Sequence, residues 1–424
     1  MDRLKLLGIS GAFVAVAALF FAWGFVSSNN DPLIVALRAA FDLSYSQALQ
    51  IQLVSFLANG VMSFPAASLG NRIGAANTIV VALGTMVAGC LLVRLGLAQH
   101  SYPAVLAAMF VLALGITTLQ VSANPLAAAL GPTETSHFRL NFAQSFNSLG
   151  VVIGVNYGAS IMLGDKVMAA GQGTIRNAAE RHEVLGAVSG AFGSMAAVLL
   201  VLGLFLFLQR RRVADAVIRE PIRSSGSVLD ALRSRWALFG ALSIGLYVGA
   251  EVSIGSIMIT FLHQQSILGL PLEQAGFYLA NLYWGGALIG RIVGTILLTR
   301  VEAAKLLCVC AVAAMLLCLA AFAEQGWVSG VAALAIGLFN SIMFPTIFTL
   351  TLERSGVSRS ATSGLLVLAI SFGAVIPYLV ALSADTTGLS SAFIIPAFAY
   401  GVIVTFAVFS LASLRNMGRR TDLG

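Results

Sequence analysis

Along the chain, long apolar runs alternate with short polar breaks. A helix that crosses a bilayer needs roughly 20 consecutive apolar residues. Twelve runs are long enough: 8–36, 46–69, 77–98, 104–130, 139–163, 188–209, 236–262, 272–299, 304–323, 327–351, 360–383 and 391–413. Each is predicted to be one spanning helix. The longest polar break, from Gln209 to Arg235, divides them into six and six. The predicted organisation is an N-terminal six-helix bundle over 1–209, a linker over 210–235 and a C-terminal six-helix bundle over 236–424.

Polar residues inside these runs are few and grouped. In the fourth run Thr117, Gln120 and Asn124 fall at i, i+3 and i+7, one stripe of an α-helix. An amide at membrane depth is costly without a partner. Pro125 follows, removes a backbone donor and kinks the helix or loosens its end. Two other stretches share this character, Ser27 to Pro32 in the first run and Arg139 to Gly150 in the fifth. The three are expected to wall one polar cavity.

Composition places the chain in a membrane. Of 424 residues 58% are hydrophobic and only 10% charged, with a mean hydropathy of +0.93, whereas a soluble domain is about 25% charged. Most of the surface therefore does not meet water. The 42 glycines fit helices that approach closely. Met1 to Lys5 and the apolar run behind it look like a signal peptide, but the run is too long and lacks a clear cleavage site, so it is taken as the first span.

The net charge of +7 suggests nucleic acid until position is considered. Most of the 24 Lys and Arg fall in alternate loops, on the side of both termini, which the positive-inside rule makes cytoplasmic. The Arg-rich linker fixes that topology, with anionic lipid as a further binding partner to consider. Residues 164–183 are expected to form a solvated outer loop. Cys90, Cys308, Cys310 and Cys318 sit in apolar runs as small hydrophobes, and the four histidines are scattered, so no metal site is expected. No phosphate-binding Walker loop or catalytic triad stands out. The expectation is a protein without cofactor, neither enzyme nor ATP-driven pump.

The halves repeat weakly. Ala66 precedes Arg72, and Gly294 precedes Arg300, each by six positions at a cytoplasmic helix end; Gly115 with Asn124-Pro125 in the fourth run has a counterpart in Gly337, Asn340 and Pro345 in the tenth. Interrupted helices at matching places in two halves mark the binding site of a secondary transporter. With the degenerate motif around Asn71-Arg72, the chain resembles the major facilitator superfamily, whose usual motif has Asp where Asn71 stands. More closely it resembles the fucose permease family and, within it, the bacterial glucose/galactose transporter group. The stretches that carry the resemblance are Phe20–Phe25, Asn30-Asp31, Leu119–Pro125, His137–Asn141, Gln144–Ser148, Tyr247–Val252, Leu282–Gly286 and Asn340–Thr346.

This resemblance implies an all-α membrane protein of twelve transmembrane helices in two six-helix bundles, importing a monosaccharide in the inner membrane of a bacterium, as a monomer. It implies proton coupling at Asp31 and sugar binding at Gln144 and Asn147. Gln120 departs from the fucose permease, which has Glu there, and agrees with the glucose/galactose group. A scheme with two acidic groups on the first and fourth helices therefore does not transfer whole, hexose is favoured over fucose, and sodium stays open beside the proton.

The residues themselves admit two readings each. Asp31 is either a carboxylate whose proton affinity a partly dry cavity raises, or an Asp-Pro break exposed at the outer face. Glu251, midway along the seventh run and on one face with Tyr247, binds sugar, holds a cation or replaces the acid missing at 120; otherwise it pairs structurally with Arg291. The amides of Gln120, Asn124, Gln144 and Asn147 match sugar hydroxyls without adding charge, or bond helix to helix. Tyr283 and Trp284, beside Asn281, stack on a pyranose ring or simply pack. Asn340 is read in the same way, as is Trp23, and Arg291 is read as structural. The leading expectation is a sugar–proton symporter whose two bundles rock about a central site. The alternatives are a sodium-coupled sugar symporter, a proton-coupled efflux antiporter for small organic compounds and a sugar-binding sensor.

Overall fold

A computed structural model of the chain describes residues 11–43, 47, 50–162, 177–216 and 228–421. Met1 to Lys5, residues 164–176 of the expected outer loop and residues 217–227 of the linker lie outside the described residues. Nearly everything described is helix, as hydrocarbon requires: with no water to bond, a helix is one of the few structures that satisfies its own backbone.

Ten helical segments are long and apolar enough to cross a membrane: Gly11–Phe41, Gln50–Ile73, Ala75–Ala98, Tyr102–Ala129, Ala178–Asp215, Arg235–His263, Ala303–Ala323, Gly326–Arg354, Arg359–Ala384 and Ser391–Ser413. Two more complete the twelve spans. The fifth, Ser136–Met162, is a 27-residue helix diluted by amides. The eighth, 272–297, is a helix interrupted by a π-turn at Leu279–Trp284. These two spans, one amide-rich and one interrupted, carry several of the polar residues singled out from the sequence.

Three spans are broken besides the eighth. The first pauses between Ser27 and Asn30, the tenth between Asn340 and Met343, and the eleventh between Phe372 and Val375. The sixth runs from Ala178 to Asp215, well beyond the predicted 188–209, because its ends are polar but still good helix formers. Pro125 lies inside the fourth helix, which continues to Ala129. Ser101, Asn177, Ser234 and Ser358 cap the fourth, sixth, seventh and eleventh spans by accepting from backbone N–H groups two or three residues on.

The chain divides into two compact units, Met1–Pro132 with Phe146–Val228, and Thr133–Ser145 with Leu229–Gly424. In the first unit the first and fifth spans touch backbone to backbone. A Cβ on Gly150 would fall on the Phe21 carbonyl, one on Gly154 on the Phe25 carbonyl and one on Gly158 on the Asn29 amide. In the second unit the seventh and eleventh spans cross in the same manner, with Gly249 against Ile376 and the Gly373 carbonyl. Small residues at four-residue spacing allow this approach where packing, not water, drives association. Both contacts join the first and fifth helices of a group of six.

Residues Thr133–Ser145 belong to the second unit through side-chain bonds to the end of the tenth span. Ser136 Oγ donates to Glu353 Oε1 at 2.7 Å, His137 Nε2 lies 3.3 Å from the same oxygen, and Asn141 Nδ2 donates to Thr346 Oγ1 at 3.4 Å.

Candidate functional site

The polar centre of the second unit is built from four helices. Glu251 sits midway along the seventh span, Arg235–His263. One turn earlier, Tyr247 donates its hydroxyl to Glu251 Oε1 at 2.7 Å. The i, i+4 spacing puts both on one face. Tyr247 is fully buried and Glu251 half-buried. The other carboxylate oxygen takes no hydrogen bond among the described residues, which leaves it able to receive a proton or a hydroxyl.

The π-turn of the eighth span supplies the next member. A π-turn carries an extra residue and recurs at functional sites. Here it turns Tyr283 fully inward while its neighbour Trp284 stays 45% exposed. Tyr283 donates to the main-chain carbonyl of Glu251 at 3.1 Å. Gly337 of the tenth span permits this depth, since a Cβ there would strike the Tyr283 carbonyl. Asn340, at the break of the tenth span, donates Nδ2 to the Tyr283 hydroxyl at 3.2 Å. Its Oδ1 accepts from Tyr400 of the twelfth span at 2.7 Å. Asn340 and Tyr400 are fully buried.

Arg291, also on the eighth span, serves the same region. Its Nε donates to the Ser341 carbonyl at 2.9 Å and its Nη1 to the Gln144 carbonyl at 3.3 Å. Ser341 lies in the gap between Asn340 and Met343, where the helix ladder is interrupted, and a guanidinium is well suited to a carbonyl left without its helical partner.

Of the predicted site residues, the structure thus brings Glu251, Tyr283 and Asn340 into one bonded cluster, and Gln144 to Arg291. Both polar atoms of Asn340 are occupied by protein groups, and the Tyr283 ring is enclosed. Trp284 packs edge-on to Tyr283 at 5.0 Å and 81°, and Asn281 is exposed with Nδ2 on the Phe277 carbonyl at 2.9 Å.

In the first unit, Gln120 and Asn124 are buried within the fourth span. Gln120 Oε1 has no hydrogen-bond partner there, an unusual state for a buried amide. Thr117, on the same stripe, is tied to Asn59 Oδ1 of the second span at 2.8 Å. Asn147 is half-buried, donates Nδ2 to the Phe20 carbonyl at 3.1 Å and packs on Gly24. Asp31 is the second residue of the helix Asn30–Phe41, directly after the pause in the first span; its side chain lies outside the described residues. Asn29 in that pause donates to the Phe25 carbonyl at 2.6 Å, while its buried Oδ1 is unbonded.

Sequence reading passed over Tyr400 and Asn59. Both had a signal. A hydroxyl or amide in the middle of an apolar run is costly unless it bonds something, and each of these has a partner in the structure, Asn340 for Tyr400 and Thr117 for Asn59.

The Major Facilitator Superfamily profile matches residues 12–378. The glucose/galactose transporter of Brucella abortus biovar 1 (strain 9-941) is 37% identical over 402 residues, covering 95% of this chain and 94% of its own. The L-fucose-proton symporter of Escherichia coli (strain K12) is 29% identical over 417 residues, covering 95% and 94%. Among solved structures, the Major Facilitator Superfamily transporter FucP in the outward conformation matches with a TM-score of 0.83 at 28% identity, over 95% of this chain and 99% of its own.

Proposed function

Because the chain belongs to the Major Facilitator Superfamily, we propose that it imports a monosaccharide of the glucose and galactose type by proton symport through alternating access. One observation carries the reading. A carboxylate, Glu251, stands midway along a membrane span with one oxygen held by Tyr247 and the other without a hydrogen bond among the described residues, in a chain similar to transporters named for glucose/galactose and for L-fucose with a proton. A carboxylate at that depth is kept only for a purpose. In this reading Glu251 takes over the acidic role absent at Gln120, and Asp31 is the second proton-coupling group. Gln120, Asn124, Gln144 and Asn147, with Asn281 and Trp284, contribute the sugar site; Tyr283 and Asn340 contribute by holding it in shape. Residues 1–209 and 236–424 act as the two bundles and 210–235 as their cytoplasmic linker, with the protein a monomer in the inner membrane.

The buried, unbonded Oδ1 of Asn29 favours one second reading, sodium in place of the proton, since hard cations take oxygen ligands. Uptake of labelled glucose, galactose and fucose into proteoliposomes, with pH and sodium gradients imposed separately, decides between them. Glucose or galactose accumulation under an inward proton gradient is the expected result. Accumulation under sodium alone overturns the proton, and no flux of any of the three sugars into vesicles of folded protein overturns the substrate. In Asp31→Asn, gradient-driven accumulation is expected to be lost; its survival removes Asp31 from coupling.

A further inference from the structure

The four-helix cluster in the second unit has a direction. Tyr400 donates to Asn340 Oδ1, and Asn340 Nδ2 donates to the Tyr283 oxygen. The Tyr283 proton is thereby left for the Glu251 main-chain carbonyl. Every donor in the chain points toward the seventh span at the residue that carries the carboxylate. An amide has one acceptor end and one donor end, so the orientation of Asn340 decides the orientation of Tyr283. Among the described residues, only the Tyr400 hydroxyl bonds the acceptor end of Asn340 and so keeps it from Tyr283.

We propose that Tyr400 is a positioning residue for Glu251: by fixing the Asn340 amide it directs the Tyr283 hydroxyl onto the Glu251 segment, and so sets the geometry in which the carboxylate exchanges its proton. The inference rests on the proton-symport reading. Without the Tyr400 hydroxyl, Asn340 Oδ1 is a buried acceptor with no donor. Turning the amide over gives it one, the Tyr283 hydroxyl, which then leaves Glu251. The other groups facing the cluster do not substitute. Tyr247 bonds the carboxylate itself, Arg291 of the eighth span bears on Glu251 by its charge while bonded to the Ser341 and Gln144 carbonyls, the Cys318 thiol of the ninth faces Tyr283 and Tyr400, and the eleventh span meets Gly249 with uncharged Gly373 and Ile376.

The test compares wild type, Tyr400→Phe, Tyr283→Phe and the double variant in proteoliposomes. Tyr400→Phe is expected to keep sugar counterflow without a gradient within about two-fold while proton-driven accumulation falls about ten-fold, the scale of one lost coupling between neighbours. Tyr283→Phe, which also removes a group that shapes the sugar site, should lose proton-driven accumulation at least as far, and the double variant should be no worse than Tyr283→Phe alone. The infrared band of the protonated carboxyl, identified by its loss in Glu251→Gln, should change its pH midpoint in Tyr400→Phe. Parallel loss of counterflow and accumulation with a lowered melting temperature and an unmoved band overturns the inference, as does an additive double variant. A Tyr400→Phe that accumulates like wild type overturns it alone. Wild type that shows no proton-driven accumulation overturns the symport reading and this inference with it.

Discussion

At the scale of single residues, the same side-chain types play different parts according to what they touch. Glu251, half-buried, and Asn340, fully buried, are both polar groups in apolar helices, yet among the described residues Asn340 is bonded at both ends and Glu251 at only one oxygen. The half-satisfied group is the one placed to do chemistry, and the fully satisfied one holds it. The roles separate in mutation. Glu251→Gln keeps the size and a hydrogen bond to Tyr247 but cannot release a proton, so proton-driven accumulation is expected to vanish while counterflow persists. Tyr247→Phe should weaken accumulation and lower stability by about 1.5–3 kcal/mol, the worth of a hydrogen bond to a charged group. Uptake measured beside thermal unfolding checks both. Equal accumulation in Glu251→Gln and wild type would remove the carboxylate from coupling. That Tyr247 and Glu251 share a face was legible from their spacing; that Tyr400 reaches the same cluster was not, since 60 positions separate it from Asn340.

At the scale of the helix, small residues and interruptions set where things can sit. The first and fifth spans approach closely because Gly150 and Gly154 offer no side chain against Phe21 and Phe25. Gly150→Ala is therefore expected to overpack the crossing and destabilise by about 1–3 kcal/mol. Gly84, in the third span with nothing within 4 Å of a Cβ, serves as the control: Gly84→Ala should be neutral or slightly stabilising, since Ala is the better helix former by about 1 kcal/mol. Thermal unfolding in detergent measures both, and equal midpoints for the two variants would sink the close-packing argument. The π-turn in the eighth span has no sequence signature of its own. Leu279 to Trp284 is helix-compatible, with Asn281 its one polar side chain besides the aromatics, and the packing of Tyr283 against Gly337 and its bond to the Glu251 carbonyl are what the extra residue makes possible.

At the scale of the whole molecule, twelve spans with basic residues concentrated on one side define a topology that can be tested directly. With both ends proposed to be cytoplasmic, a cysteine replacing the exposed Arg211, at the end of the sixth span, should react with an impermeant thiol reagent in inverted vesicles and not in intact cells. Labelling in intact cells would reverse the orientation. The segment Thr133–Ser145 adds a point that counting spans misses: it falls in the first half of the chain but is bonded to the tenth span through Glu353, Thr346 and Thr349. His137 and Asn141, noted in the sequence only as part of a family resemblance, are two of those bonds.

The sequence by itself determined that this is a helical membrane protein of twelve spans, because hydrocarbon leaves the backbone few other solutions and the length of each apolar run is set by bilayer thickness. It also showed which polar residues lie at membrane depth, since each is an exception in an apolar run. It left open what each exception bonds. That depends on contacts between helices far apart in the chain, and only the tertiary structure decided it: Tyr283 turned inward by a π-turn, Asn340 bonded at both ends, Arg291 on the carbonyls of a broken helix, and Glu251 held at one oxygen and open at the other. An apolar run specifies where a polar side chain sits in the membrane. The partner that makes burial tolerable is specified by packing.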